Sequence, residues 1–210
     1  MKHLFAAGTA LAVVAVLCGC SAIPDDATTP SRLPDTDSVQ TPDAATAPSP
    51  TPSNSSLFGD TVTNDRGNLV KKIGQIAGTG SVDDPDVITS TFAVTDIVVD
   101  RKCTDEFAEK PQNGHYVAVH LNVETTKDLA KEDYPVVGFD AGYWQAYDAK
   151  GTRVNDPLGN AFTCLASSEQ LPGEIGPAQS VSGWIVLDVP TTHGAVVLAP
   201  YGATGWEWDY

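Results

Sequence analysis

Tyr116-Val117-Ala118-Val119-His120-Leu121-Asn122-Val123-Glu124 decides the fold. Val117, Val119, Leu121 and Val123 alternate with Tyr116, Ala118, His120, Asn122 and Glu124. Successive side chains on a strand point to opposite faces, so this period of two predicts a half-buried β-strand. Upstream, Phe92-Ala93-Val94-Thr95-Asp96-Ile97-Val98-Val99 is rich in β-branched residues. Downstream, Tyr143-Trp144-Gln145-Ala146-Tyr147 runs into Asp148-Ala149-Lys150-Gly151. Gly151 can take positive φ, which predicts a hairpin loop with Thr152-Arg153-Val154 returning. Val181, Gly183, Ile185, Leu187 and Val189 alternate with Ser182, Trp184, Val186 and Asp188, and Pro190 ends that strand because it has no N–H to donate. Residues 195–198 and Trp206-Glu207-Trp208 read as two further short strands. No long segment shows a helical period; residues 68–77 fit either one turn of helix or an irregular approach to the first strand.

Several short strands joined by Gly/Pro turns predict an all-β domain, an immunoglobulin-like antiparallel β-sandwich over residues 57–210. All four Trp and all six Tyr fall in this stretch. Its length suffices for one core. Cys103, Trp144 and Cys164 do not have the spacing of a true antibody domain: Trp144 lies 41 residues after Cys103, and Phe162 stands where a Tyr would precede the second Cys.

The chain opens with Lys2 and His3, an apolar run to Leu17, then Cys18-Gly19-Cys20. This is the pattern of a secretory signal, residues 1–19, and is too short for a membrane span. Leu17 three places before Cys20, with Gly19 just ahead of it, resembles the lipobox of bacterial lipoproteins. That resemblance implies that Cys20 becomes the first mature residue and carries a thioether-linked diacylglycerol. Residues 21–56 hold seven Pro, seven Ser and six Thr with few large apolar residues. Such a segment cannot bury enough surface to offset ordering entropy, so residues 20–56 are expected to be a disordered tether. Fully extended, the 36 residues from 21 to 56 would span roughly 110 Å.

Leu171-Pro172-Gly173 followed by Gly183-Trp184-Ile185-Val186-Leu187-Asp188-Val189-Pro190 resembles a signature of small secreted bacterial domains of unknown function, with Leu187 where Phe is usual. Gly114-His115-Tyr116-Val117 opens a stretch similar to their central strand. Asn64-Asp65-Arg66-Gly67-Asn68-Leu69-Val70-Lys71-Lys72-Ile73-Gly74-Gln75 resembles the opening of this domain in lipoproteins of high-GC Gram-positive bacteria. The resemblance implies an immunoglobulin-like sandwich similar to a secreted mycobacterial antigen. It brings no activity, cofactor or catalytic residue.

Residues 57–210 carry 22 acidic and 10 basic residues, a net charge of −12. Phosphate binding needs a basic footprint, so nucleic acid is not the expected partner. The charge serves solubility first, and a cationic ligand is the alternative. Cys103 and Cys164 remain once the signal and lipid site are set aside. An oxidising compartment makes a disulfide their default, closing a loop worth on the order of 4 kcal/mol. A redox or metal pair would want a CxxC or a neighbouring His, and neither cysteine has one.

His115 and His120 are five apart, on opposite faces of one strand, and cannot chelate one metal. His193 reads as a loop residue. Met1 is the only Met, which disfavours a copper site. Asp83, Asp84 and Asp86 form the densest acidic cluster, a possible cation site or a solvated Asp-Pro turn. No metal or cofactor site is otherwise expected. Nucleophile motifs such as Gly-x-Ser-x-Gly and His-Glu-x-x-His are missing. Trp206, Trp208 and Tyr210 share one face, as an aromatic platform or as the strand that seals the core. The expectation is therefore a non-enzymatic lipoprotein on the extracytoplasmic face of the cell membrane. It would bind an envelope protein or a cell-wall component. The alternatives are an envelope hydrolase working through carboxylates and a purely structural surface antigen.

Overall fold

The computed structural model describes residues 57–202 and 204–210. The signal, Cys20 and the tether lie outside the described residues. The described residues form ten strands: β1 (Leu69–Val70), β2 (Ala77–Gly80), β3 (Ile88–Val99), β4 (His115–Thr125), β5 (Val137–Gly138), β6 (Trp144–Tyr147), β7 (Glu174–Ile175), β8 (Ser180–Val189), β9 (Ala195–Leu198) and β10 (Trp206–Asp209). The helical pieces among the described residues are three short 3₁₀ turns. One antiparallel sheet has the order β2-β3-β4-β8. The other has the order β1-β10-β9-β6, antiparallel except where β1 runs parallel to β10. β5 and β7 form a small antiparallel ribbon.

The inner faces of the two large sheets make one core. Val94, Val117, Leu121 and Leu187 from the first meet Trp144, Val196, Leu198 and Trp208 from the second. The chain is thus the expected antiparallel β-sandwich. Trp206, Trp208 and Tyr210 take the sealing role: Trp208 is buried and the other two pack against the core.

The strands of the two sheets differ greatly in length. β3, β4 and β8 have 12, 11 and 10 residues, whereas β6, β9 and β10 have four each. At about 3.3 Å per residue, β3 is roughly 40 Å long and β9 roughly 13 Å. The short sheet cannot cover the long one, so loops complete the sandwich.

The half-buried reading of β4 holds for its second half, where Asn122 and Glu124 are exposed. It fails in the first half, where Tyr116 and Ala118 are as buried as their inward neighbours. A second cluster covers them: Ala161, Cys164 and Leu165 pack on Tyr116, Ala118 and Val186. Cys103 and Cys164 are joined in a disulfide 61 residues apart. Thr104 N–H donates to the Cys164 carbonyl at 2.8 Å, tightening the same flap. This bridge lies on the outer face of the long sheet, whereas the disulfide of an antibody domain joins the two sheets through the core.

The hairpin loop forms as expected, with Gly151 at φ 78° and Gly151 N–H donating to the Asp148 carbonyl. The returning segment pairs on the edge of β6 opposite β9, through one bridge, Tyr147 to Arg153, with Val154 N–H donating to the Ala146 carbonyl at 2.8 Å. Residues 68–77 follow the irregular alternative: β1 is two residues long, and Lys71 turns inward to donate to the carbonyls of Phe58 and Ile76 at 3.0 Å each.

Candidate functional site

The unequal sheets leave a hollow. The core-facing row of β3 runs Val94, Phe92, Ser90, switching from apolar to hydroxyl as it passes beyond the short sheet. β2 places Thr79 beside Ser90 in register, and their hydroxyls lie 2.7 Å apart. Thr89 joins them, donating its hydroxyl to the Thr79 carbonyl at 3.2 Å. The sandwich does not close over this row. A cavity of ≈ 260 Å³ stands above it, walled by Phe92, Phe139, Leu129, Leu198 and Trp206.

The walls are held in place by ring packing. Phe92 meets Phe139 edge-on at 5.1 Å and Trp206 edge-on at 4.9 Å. Each such pair contributes about 0.5–1.5 kcal/mol beyond burial. The roof comes from the 3₁₀ turn Lys127–Lys131, which buries Leu129 and is capped by the Thr126 hydroxyl accepting from Asp128 N–H. At the mouth, Val82, Tyr134, Tyr143 and Tyr201 are exposed, Tyr201 by 84%. Among the described residues Glu132 is the one carboxylate in the lining, and its Oε2 already accepts the Val82 N–H at 3.2 Å. Apolar walls, a few oriented hydroxyls and three exposed tyrosines at the mouth suit a small ligand with an apolar body.

Two buried acids stand outside this cavity, and the strand patterns did not mark either. Asp188 is 0% exposed and accepts three backbone N–H bonds, from Gln112 at 2.6 Å, Asn113 at 2.8 Å and Asn160 at 3.2 Å. It ties two loops over the closed end of the long sheet. Glu207 is 3% exposed and is paired with Arg66, which also stacks 4.6 Å above the Tyr147 ring. Asn68 Nδ2 donates to Glu207 Oε2 at 2.7 Å. Burial pushes the Glu207 carboxyl up, but the bonds from Arg66 and Asn68 outweigh it and hold the group below the ordinary glutamate range.

The other sequence-marked residues are dispersed. Asp83, Asp84 and Asp86 are exposed in the β2–β3 turn, where Asp84 Oδ1 accepts the Asp86 N–H at 3.3 Å. Among the described residues no group of three or more His, Cys, Asp or Glu is placed to hold a metal ion. His115 pairs with Asp100 at 2.7 Å, and His120 Nδ1 meets the Thr95 hydroxyl at 2.6 Å on the outer face. His193 is exposed in the turn before β9. The available signal for the cavity was the β3 row itself: counting back by two from Val94 through Phe92 reaches a hydroxyl where a core residue is due.

No protein-family profile matches the chain, and no curated protein does. Two solved structures are similar. One is MPT63, a secreted protein from Mycobacterium tuberculosis, at 15% identity and a TM-score of 0.44, covering 68% of this chain and 98% of that one. The other is a "putative lipoprotein (ycdA)" from Bacillus subtilis, at 12% identity and a TM-score of 0.40, covering 67% of this chain and 39% of that one.

Proposed function

We propose that this chain is a membrane-anchored binding module of the cell envelope, held by a lipid on Cys20 and presenting the cavity at the open end of its sandwich to a small apolar or ring-bearing group. The group would be a ligand in itself or a side chain of an envelope partner. One observation carries this reading: hydroxyls and aromatic rings line an open hollow at a position where a sandwich core would ordinarily be filled. The lipobox-like Leu17–Cys20 stretch and the Pro-rich residues 21–56 support the address. Binding is favoured over hydrolysis because glycoside-cleaving carboxylates work as an opposed pair, and the cavity lining offers Glu132 alone.

A photo-crosslinking residue at Tyr201, in full-length protein in living cells, tests this. It should capture an envelope component, and the same residue at Lys150, exposed on the hairpin, should not. Equal labelling from both positions, or none from Tyr201, would refute the cavity as the binding site.

A further inference from the structure

The cavity at the open end of the sandwich carries one sign of charge. Its lining holds Glu132 and, among the described residues, no Lys, Arg or His. Glu132 commits Oε2 to the Val82 N–H, and its Oε1 has no partner among the described residues. The roof turn carries Lys127 and Lys131, but both are exposed and outside the lining, and Lys131 is paired with Asp128 at 2.6 Å. Val82 leads into the exposed Asp83, Asp84 and Asp86, so the mouth is acidic on this side.

Six aromatic rings stand around this charge: Phe92, Phe139, Trp206, Tyr134, Tyr143 and Tyr201. An aromatic ring is negative over its face and attracts a cation. Tyr134 adds to this, because its hydroxyl donates to Glu174 Oε1 at 3.2 Å and a phenol bonded to a carboxylate carries more charge over its ring. The floor hydroxyls are already engaged with one another. Thr79 lies 2.7 Å from Ser90 and 3.3 Å from Thr89, and Thr89 donates to the Thr79 carbonyl. A primary ammonium would bring three N–H groups that need acceptors once water is removed, whereas a quaternary ammonium brings none. At ≈ 260 Å³ the cavity falls just below the roughly 300–1,000 Å³ of common ligand pockets, so the occupant is small.

On the reading of this hollow as a binding site, we propose that its occupant is a quaternary ammonium group. The rings hold the methylated cation, and Glu132 supplies the counter-charge. An isolated carboxylate or phosphate finds no cationic side chain in the lining, and the net charge of −12 repels it.

Isosteric probes separate charge from shape. Choline, 3,3-dimethylbutanol and 3,3-dimethylbutanoate present the same branched head as a cation, a neutral group and part of an anion. Each is titrated against the full-length protein in nonionic detergent, reading the Trp206 indole N–H by NMR with Trp184 as the distant control. Choline should bind at least about fivefold tighter than the alcohol, and the butanoate more weakly still. Ethanolamine, with its three N–H groups, should bind more weakly than choline. Glu132→Gln keeps an acceptor for Val82 N–H and should weaken choline several-fold while leaving the alcohol unchanged. Phosphocholine tells the two sources of the cation apart: weaker binding than choline assigns a free solute, tighter binding a lipid headgroup. Equal binding of choline and the alcohol, ethanolamine as tight as choline, or equal losses for both probes in the Gln variant would overturn the quaternary ammonium and leave the cavity as a site. No shift of Trp206 by any probe up to about 10 mM would also overturn it. The cavity reading itself then falls only if crosslinking from Tyr201 fails as well.

Discussion

The two ends of the long sheet solve the same problem in opposite ways. Where β4 begins, both faces are covered: the short sheet lies inside, and outside a disulfide-tied flap packs Ala161 and Leu165 onto Tyr116 and Ala118. Where β4 ends, the outer face is bare and the inner face turns from packed core to the hydroxyls of Ser90 and Thr79 beneath an open cavity. One set of strands thus serves as a sealed scaffold at one end and as the floor of a site at the other. The lesson is that a half-buried strand pattern describes a face only as far as its partner sheet reaches.

Removing the bridge with Cys103→Ser and Cys164→Ser should cost about 4 kcal/mol in urea unfolding. Amide exchange in the variant should rise first at Tyr116–Ala118 and last at Ser90–Phe92. A uniform rise would erase the distinction between the ends. Asp188→Ala should cost about 3 kcal/mol, since it leaves three backbone N–H groups without their acceptor. Gly159→Ala probes the same knot, because φ is +42° and an added Cβ would collide with the Asp188 carboxylate.

Glu207→Gln should cost about 2 kcal/mol at neutral pH, and its pH dependence separates it from Asp188→Ala. The folded-state pKa of Glu207 is depressed, so its stabilisation is fully present above the unfolded value near about 4.3 and is lost as pH falls through the lower folded value. Unfolding curves between neutral and acid pH should therefore show a shallower acid decline in the Gln variant. An unchanged decline would mean that Arg66 and Asn68 do not favour the ionised form. The smallest effects belong to the open end: Ser90→Ala at about 1 kcal/mol and Tyr201→Ala within about 0.5 kcal/mol. A cost above about 3 kcal/mol for Ser90→Ala would mean that this row is packed core after all.

The sequence patterns located the main strands, since β4, β8, β9 and β10 sit on the alternation of Val117–Val123, Val181–Val189, residues 195–198 and Trp206–Trp208. Period two is a local property, and these strands are long or aromatic enough to display it. Partners are not local. β6 makes its full ladder with β9, about 50 residues on, and only one bridge with its own hairpin return, and β1 pairs parallel with β10 from 137 residues away (Leu69 with Trp206). The cavity depends on sheet lengths that no single strand reveals. The burial of Asp188 and Glu207 depends on loops and on Arg66, and a carboxylate flanked by apolar residues in a strand looks the same whether water or an amide faces it.

The last consequence concerns force. Phe58 enters the domain with its carbonyl held by Lys71 Nζ and by Gln75 Nε2, both at 3.0 Å, while its ring lies against Gly78. Burial pushes the Lys71 amine below its usual range without a carboxylate to restore it. Tension arriving along the chain from the N-terminal side would meet this clasp before it reached any ladder. Beyond the clasp, it would load the two-residue parallel pairing of β1 with β10, whose Trp206 is also a wall of the cavity. Trp206 is the ring that the cavity shares with the hollow beside Phe58, so the clasp and the cavity meet at one side chain.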